Sequence, residues 1–227
     1  MSHRCLVVFG LPEVGGFAST RRETRDVDTR DRAAFDSAQR ADTMQLVGLS
    51  PGIHELGPDT ASLVVKTYRE GLAAKAGHDL IIEVRQWEAR LEVGGDPSHS
   101  KLQLRADPRS LYPREGLRGV KPLTDKDRDE VRKNIDEKVL GGDPISFRSS
   151  AVHTADDGRL SVRGELTIRG QSRPAGFELN VGADGRVTGT AQLVQSDWGI
   201  KPYRGLMGAL KVRDSLEVVF DGVLPTD

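Results

Sequence analysis

Residues 157–169 read Asp-Gly-Arg-Leu-Ser-Val-Arg-Gly-Glu-Leu-Thr-Ile-Arg. Leu160, Val162, Leu166 and Ile168 fall on one side of an extended chain, with Gly164 completing the row, and Ser161, Arg163, Glu165, Thr167 and Arg169 fall on the other. Successive strand side chains point to opposite faces, so this spacing predicts a strand with one dry face and one wet face. The flanking segments repeat the pattern: Ile145, Phe147 and Ser149 before it, and Ala175, Phe177, Leu179 and Val181 after it. Three serial one-sided strands predict an antiparallel sheet closed around an apolar interior.

Working outward, residues 62–68 form an earlier strand, after a turn at Pro51-Gly52. In residues 80–93, Leu80, Ile82 and Val84 share one face, whereas Ala89, Leu91 and Val93 are one residue out of step. That slip predicts one long strand with a bulge, or two strands joined at one. A turn at residues 94–97 leads to a strand marked by Leu102, Leu104 and Ala106, and residues 111–120 read as irregular, with Pro113, Gly116 and Gly119. One helix is predicted over about 124–140. Thr124 is its N-cap, Asp125, Asp127 and Asp129 occupy the end favoured by the helix dipole, and Gly141-Gly142 stop it. Val131, Ile135 and Val139 recur every four residues, a narrow stripe suited to lying across a sheet or plugging a barrel end. Strands over 186–195 and 211–220 complete about eight.

The totals restrict the function classes. The chain has 227 residues, 33 Lys plus Arg against 34 Asp plus Glu, and a formal net charge of −1. No long basic stripe marks a nucleic-acid partner. One cysteine, Cys5, excludes an internal disulfide, a cysteine-rich zinc site and an iron–sulfur cluster. No apolar run approaches the roughly 20 residues of a membrane-spanning helix, so stable membrane insertion is not expected. The run at residues 6–11 is cut by Pro12 and Glu13, short of a secretory signal, and points to a cytoplasmic protein with a periplasmic or secreted setting as the alternative. Residues 21–42 hold six arginines and six acids and little apolar content, which reads as a solvated tail or a weak helix over 31–41. Residues 1–50 are accordingly set apart from a barrel domain over 51–227, with Met44 as a candidate true start.

Pro144-Ile145-Ser146-Phe147-Arg148-Ser149, Gly164-Glu165-Leu166-Thr167-Ile168-Arg169-Gly170-Gln171-Ser172 and Ser196-Asp197-Trp198-Gly199-Ile200 together resemble the YceI-like family of polyisoprenoid-binding, lipocalin-like proteins. Asp127-Arg128-Asp129 matches the family's Arg-Asp element upstream. The resemblance covers roughly 53–224. It implies a mainly β fold, an eight-stranded antiparallel lipocalin-like barrel with a helix near one end and a long cavity for an isoprenoid or fatty-acyl chain. It also allows a homodimer. Two departures stand out: Gln195 occupies a position where many members carry Arg, and the glycine common in the second strand is missing.

A barrel of eight strands is near the size at which the interior is either filled or holds one small ligand. Ser149, Gly164, Ala175, Gly189 and Ala191 are small residues on otherwise apolar faces, which favours space for a ligand. The expected cavity lining is Val65, Ile82, Leu104, Phe147, Ser149, Gly164, Leu166, Ile168, Phe177, Leu179 and Leu193, with His78, Trp198 and Tyr203 at the mouth. The competing reading is a collapsed barrel with an ordinary core, a stress or interaction module without ligand. His78-Asp79 could be an acid–base pair of a small enzyme on a hydrophobic substrate. A turn-stabilising hydrogen bond is the plainer account of such a pair. His3, His54, His99 and His153 lack metal-ligand spacing, no Gly-rich loop carries a phosphate-binding Lys and Ser/Thr, and no serine sits in a nucleophile elbow. Binding without catalysis, cofactor or metal is the reading the residues favour.

Overall fold

The computed structural model describes residues 49–155 and 159–226. The arginine-rich segment and Met44 lie outside the described residues.

The expected row of three strands is present as β8 (Ile145–Thr154), β9 (Leu160–Ile168) and β10 (Gln171–Val181), paired antiparallel in sequence order. Before them come β1 (Gly52–Leu56), β2 (Ala61–Thr67), β3 (Arg69–Glu70), β4 (Asp79–Val84), β5 (Trp87–Val93), β6 (Lys101–Ala106) and β7 (Leu111–Leu117). After them come β11 (Arg186–Val194), β12 (Arg204–Gly205), β13 (Leu210–Val212) and β14 (Ser215–Val223). The main sheet has 11 strands in the order β1-β5-β6-β8-β9-β10-β11-β14-β2-β4-β7, and β12-β13-β3 form a separate sheet of three.

Eight strands were expected, and the difference has a simple origin. β4 and β5 are one chain run bent at Arg85-Gln86, and β6 and β7 are another bent at residues 107–110. The bends face each other: the Asp107 N–H donates to the Gln86 carbonyl (2.9 Å) and the Arg85 N–H to the Ser110 carbonyl (3.2 Å). With each bent run counted once, the members are β2, β4/β5, β6/β7, β8, β9, β10, β11 and β14, and β14 returns to pair with β2. The sheet therefore curls until its two ends meet within the same two bent strands. β1 is an addition on β5. The one-residue phase slip read across 80–93 is this bend, which keeps Val84 and Ala89 on the same dry side.

Two further expectations need correction. Residues 111–120 are not irregular throughout, since β7 occupies Leu111–Leu117 despite Pro113. β7 is the last strand of the sheet order, and its register against β4 shifts between Ile81 and Ile82, where Pro113 pairs. Proline lacks a ladder donor and is tolerated at such an edge irregularity. The strand expected over 211–220 is two strands in different sheets, β13 and β14, separated at Arg213-Asp214.

The helix α1 (Asp125–Asn134) starts as expected, with Thr124 and Asp127 forming a reciprocal capping box. It widens into a π-turn over Ile135–Leu140, and Gly141 ends it in the left-handed conformation (φ 70°). Arg128 ties the helix to β7 by donating to the carbonyls of Pro113 (3.2 Å) and Arg114 (3.5 Å), and it also donates to the Leu123 carbonyl just before the helix (2.9 Å). Among the described residues, no helix is long and apolar enough to cross a membrane.

Candidate ligand-binding site

The inward rows of the curled sheet enclose a cavity of about 340 Å³. Its walls come from β2, β4 to β6, β8 to β11 and β14, and one end is covered by α1 and its π-turn through Val131, Asn134, Ile135, Val139 and Leu140. Among the described residues no charged side chain lines it, and its polar side chains are Thr67, Asn134, Thr190, Gln195, Tyr203 and the indole of Trp198. Burying so many aliphatic groups stabilises the wall from the protein side alone, at about 25 cal/mol per Å² of apolar surface removed from water.

Nine residues expected as lining do line this cavity: Val65, Ile82, Leu104, Phe147, Leu166, Ile168, Phe177, Leu179 and Leu193. Ser149 and Gly164 do not. β8 carries a bulge between Ser149 and Ala151 that re-aims this part of the strand, and the Ser149 hydroxyl accepts a hydrogen bond from the Leu102 N–H (2.8 Å). At Gly164 a Cβ would stand 2.7 Å from Cζ of Phe147 and 2.2 Å from the Arg148 carbonyl oxygen, so the space expected there is taken by the phenyl ring and the neighbouring backbone. Gly189 lines the cavity, yet it too is overlain by a cross-strand partner, with Cδ2 of Leu179 2.5 Å from where its Cβ would be. These two glycines receive large cross-strand neighbours. Ala175 and Ala191 line the cavity, as their inward positions predicted.

The three residues expected at the mouth have different fates. Trp198 lines the cavity but is buried, and its indole N–H donates to the Leu166 carbonyl (3.1 Å). Tyr203 lines the cavity, half-buried, with the Lys138 ammonium 5.9 Å from its ring centre. His78 is not in the wall. Its Nε2 is hydrogen-bonded to the Lys121 carbonyl (2.7 Å), and its ring packs so tightly under Gly119 that a Cβ there would lie 2.1 Å from Nε2. Asp79 is buried and accepts from the Arg69 N–H (2.9 Å), with the guanidinium groups of Arg69 and Arg118 at 3.8 and 3.5 Å. Both bonds tie together segments distant in sequence, 43 residues for His78 and 10 for Asp79, rather than stabilising a local turn.

The polar lining gathers at the helix end. Gln195 is buried and donates through Nε2 to the Arg213 carbonyl (2.8 Å), while the Arg213 N–H donates to the Tyr68 carbonyl (2.7 Å), beside Thr67. Burial pushes the Tyr68 phenol above its usual value, with its hydrogen bond to Glu217 acting the same way. Thr67, Asn134 and Tyr203 make no side-chain hydrogen bond among the described residues. Sequence reading missed the helix contribution to the wall, although the four-residue spacing of Val131, Ile135 and Val139 was its signal. Thr67 and Asn134 had no signal, because a polar residue at the end of an element ordinarily meets water.

A meander of eight strand members wrapped around an apolar cavity, one end carrying a helix, defines a lipocalin-like β-barrel. The family model for the YceI-like domain matches residues 73–224, and the chain belongs to the YceI-like family. Among solved structures the chain is similar to BcnA of Burkholderia cenocepacia, with a TM-score of 0.52 and 16% identity over 71% of this chain and 94% of BcnA. It is also similar to a mutant CJ YCEI protein crystallised with a monobromobimane guest structure, with a TM-score of 0.37 and 14% identity over 52% of this chain and 69% of that one. At such identity the likeness to BcnA shows the fold. No curated protein matches the chain.

Proposed function

We propose that this protein binds one hydrophobic chain, isoprenoid or fatty-acyl, inside the barrel and sequesters or carries it. The observation that carries this reading is the 340 Å³ cavity with an almost wholly apolar wall and, among the described residues, no charged lining residue. A pocket of that size lies within the range of small-molecule sites. Its apolar lining suits a hydrocarbon chain.

The polar groups of Thr67, Asn134 and Tyr203, which make no side-chain hydrogen bond among the described residues, support a reading in which an uncharged or outward-facing head group sits at the helix end. Gln195, standing where many family members carry Arg, adds no charge to the cavity wall at that end. His78 and Asp79 are occupied in holding loops, which favours binding over catalysis.

The test is organic extraction of the purified protein followed by mass spectrometry, together with titration by an apolar fluorophore such as N-phenylnaphthylamine. A hydrophobic molecule recovered at near one per chain is the expected result. Ala191→Phe, which fills the cavity from β11, is expected to weaken fluorophore binding roughly tenfold or more, the loss of a few buried methylenes at about 0.8 kcal/mol each. A protein that carries no extractable molecule and binds no fluorophore would sink the proposal in favour of the filled barrel.

A further inference from the structure

Three loops at the helix end carry apolar side chains that the fold leaves in water. Leu72 and Met207 are fully exposed, and Leu206 and Val120 are 58% and 78% exposed. The loops are built as one platform. The Ala73 N–H donates to the Ala209 carbonyl (2.9 Å), Leu210 packs over Gly77 so closely that a Cβ there would meet its Cδ1 at 2.7 Å, and His78 holds the third loop through the Lys121 carbonyl (2.7 Å). Tyr203 and Val212, which frame the Leu206-Met207 loop, both line the cavity. Platform and cavity therefore share a rim.

Two observations mark these tips as more than scattered surface residues. Leu206 and Met207 sit consecutively in the left-handed region (φ 49° and 54°), a conformation that bulky side chains rarely adopt and that is unfavourable without a compensating role. The charge is also segregated. Residues 71–77, 118–123 and 201–212 contain six cations (Lys75, Arg118, Lys121, Lys201, Arg204 and Lys211) and no acid, in a chain whose acids outnumber its bases, 34 to 33. Of these, Lys75, Lys121, Lys201 and Arg204 are exposed and make no ion pair with the described residues. Apolar prongs set among unpaired cations match the layered chemistry of an anionic bilayer surface, where hydrocarbon lies beneath a negatively charged headgroup layer.

We infer that this platform docks the protein on an anionic lipid surface, with Leu72, Leu206 and Met207 entering the interface, so that the barrel rim meets the membrane.

The experiment is co-sedimentation of the full chain with vesicles of phosphatidylcholine alone and of a phosphatidylcholine–phosphatidylglycerol mixture, at low and high salt. Binding to the mixed vesicles is expected, roughly tenfold weaker on neutral vesicles or in high salt, where the charge attraction is screened. The double variant Leu72→Ser, Met207→Ser is expected to lose binding roughly tenfold, and Lys75→Glu, Lys201→Glu, Arg204→Glu at least as much on the mixed vesicles alone. N-phenylnaphthylamine binding without vesicles is expected to be unchanged in both variants, which separates this proposal from the reading of the cavity. Failure of the parent protein to sediment with mixed vesicles, or equal sedimentation of the variants, would overturn it. So would a dimer, seen by light scattering, that the Leu72→Ser, Met207→Ser substitutions dissociate.

Discussion

The two ends of the barrel are built in opposite ways. At the far end from the helix, Leu49, Leu56, Val187 and Leu224 are all buried. Backbone bonds stitch that end shut, from the Ser50 N–H to the Pro225 carbonyl (3.2 Å) and from the Leu224 N–H to the Gly185 carbonyl (2.9 Å). Gly185 is left-handed there (φ 76°), and a Cβ on it would lie 2.2 Å from the Leu224 carbonyl oxygen, so the turn closes against the chain with no room to spare. The helix end collects the polar lining, the π-turn, the strained Leu206-Met207 loop and the apolar tips in water. Closing contacts gather at one end, and the features on which the proposed ligand binding rests gather at the other.

The contrast breaks first on Leu224→Ala. If the far end is a packed closure, chemical denaturation should show a loss of about 2–5 kcal/mol, transfer and cavity terms combined. A loss near zero would mean that the closure is loose and that either end could admit a ligand.

Thr124→Ala tests the opposite end more gently. Removing the cap is expected to cost about 1 kcal/mol. Its partner Asp127 adds a pH dependence. The Thr124 hydroxyl donates to the Asp127 carboxylate (2.6 Å) and, with the Thr124 N–H (2.9 Å), holds that carboxyl below its ordinary 3.8. A depressed carboxyl favours the folded state above its ordinary value, and the benefit is lost as pH falls through the depressed one. Thermal melts taken from neutral pH into that acid range should therefore show a flatter acid limb for Asp127→Asn than for the parent protein.

The smallest change is expected from Leu72→Ser, Met207→Ser. Neither side chain packs on anything, so stability should stay within about 0.5 kcal/mol. A clear destabilisation would show that the platform is part of the fold and erase the contrast between the ends.

Much of this was legible in the chain. The alternation through Leu160, Val162, Leu166 and Ile168 required a one-sided strand, because no other backbone turns every second side chain the same way. The motifs from Pro144 to Ile200 pointed to the family, and Thr124 and Gly141 marked the helix by local hydrogen-bonding and φ requirements alone. What period-two alternation could not say is which inward position stays open. Gly164 and Ser149 lie on the dry row, yet a neighbouring ring and a bulge decide their surroundings, and both depend on cross-strand register. His78 likewise looked like a mouth residue until its contact with Lys121, 43 residues away, was visible. Periodicity by itself pointed to an antiparallel sheet around an apolar inside with one helix, and the family resemblance made that sheet a lipocalin-like barrel. Only the tertiary structure decided that the cavity persists beside its glycines, that the helix covers one end, and that Leu72, Val120 and Met207 share a cationic rim. Side-chain direction follows from local geometry, whereas free volume and surface clustering arise from residues distant in sequence meeting in space.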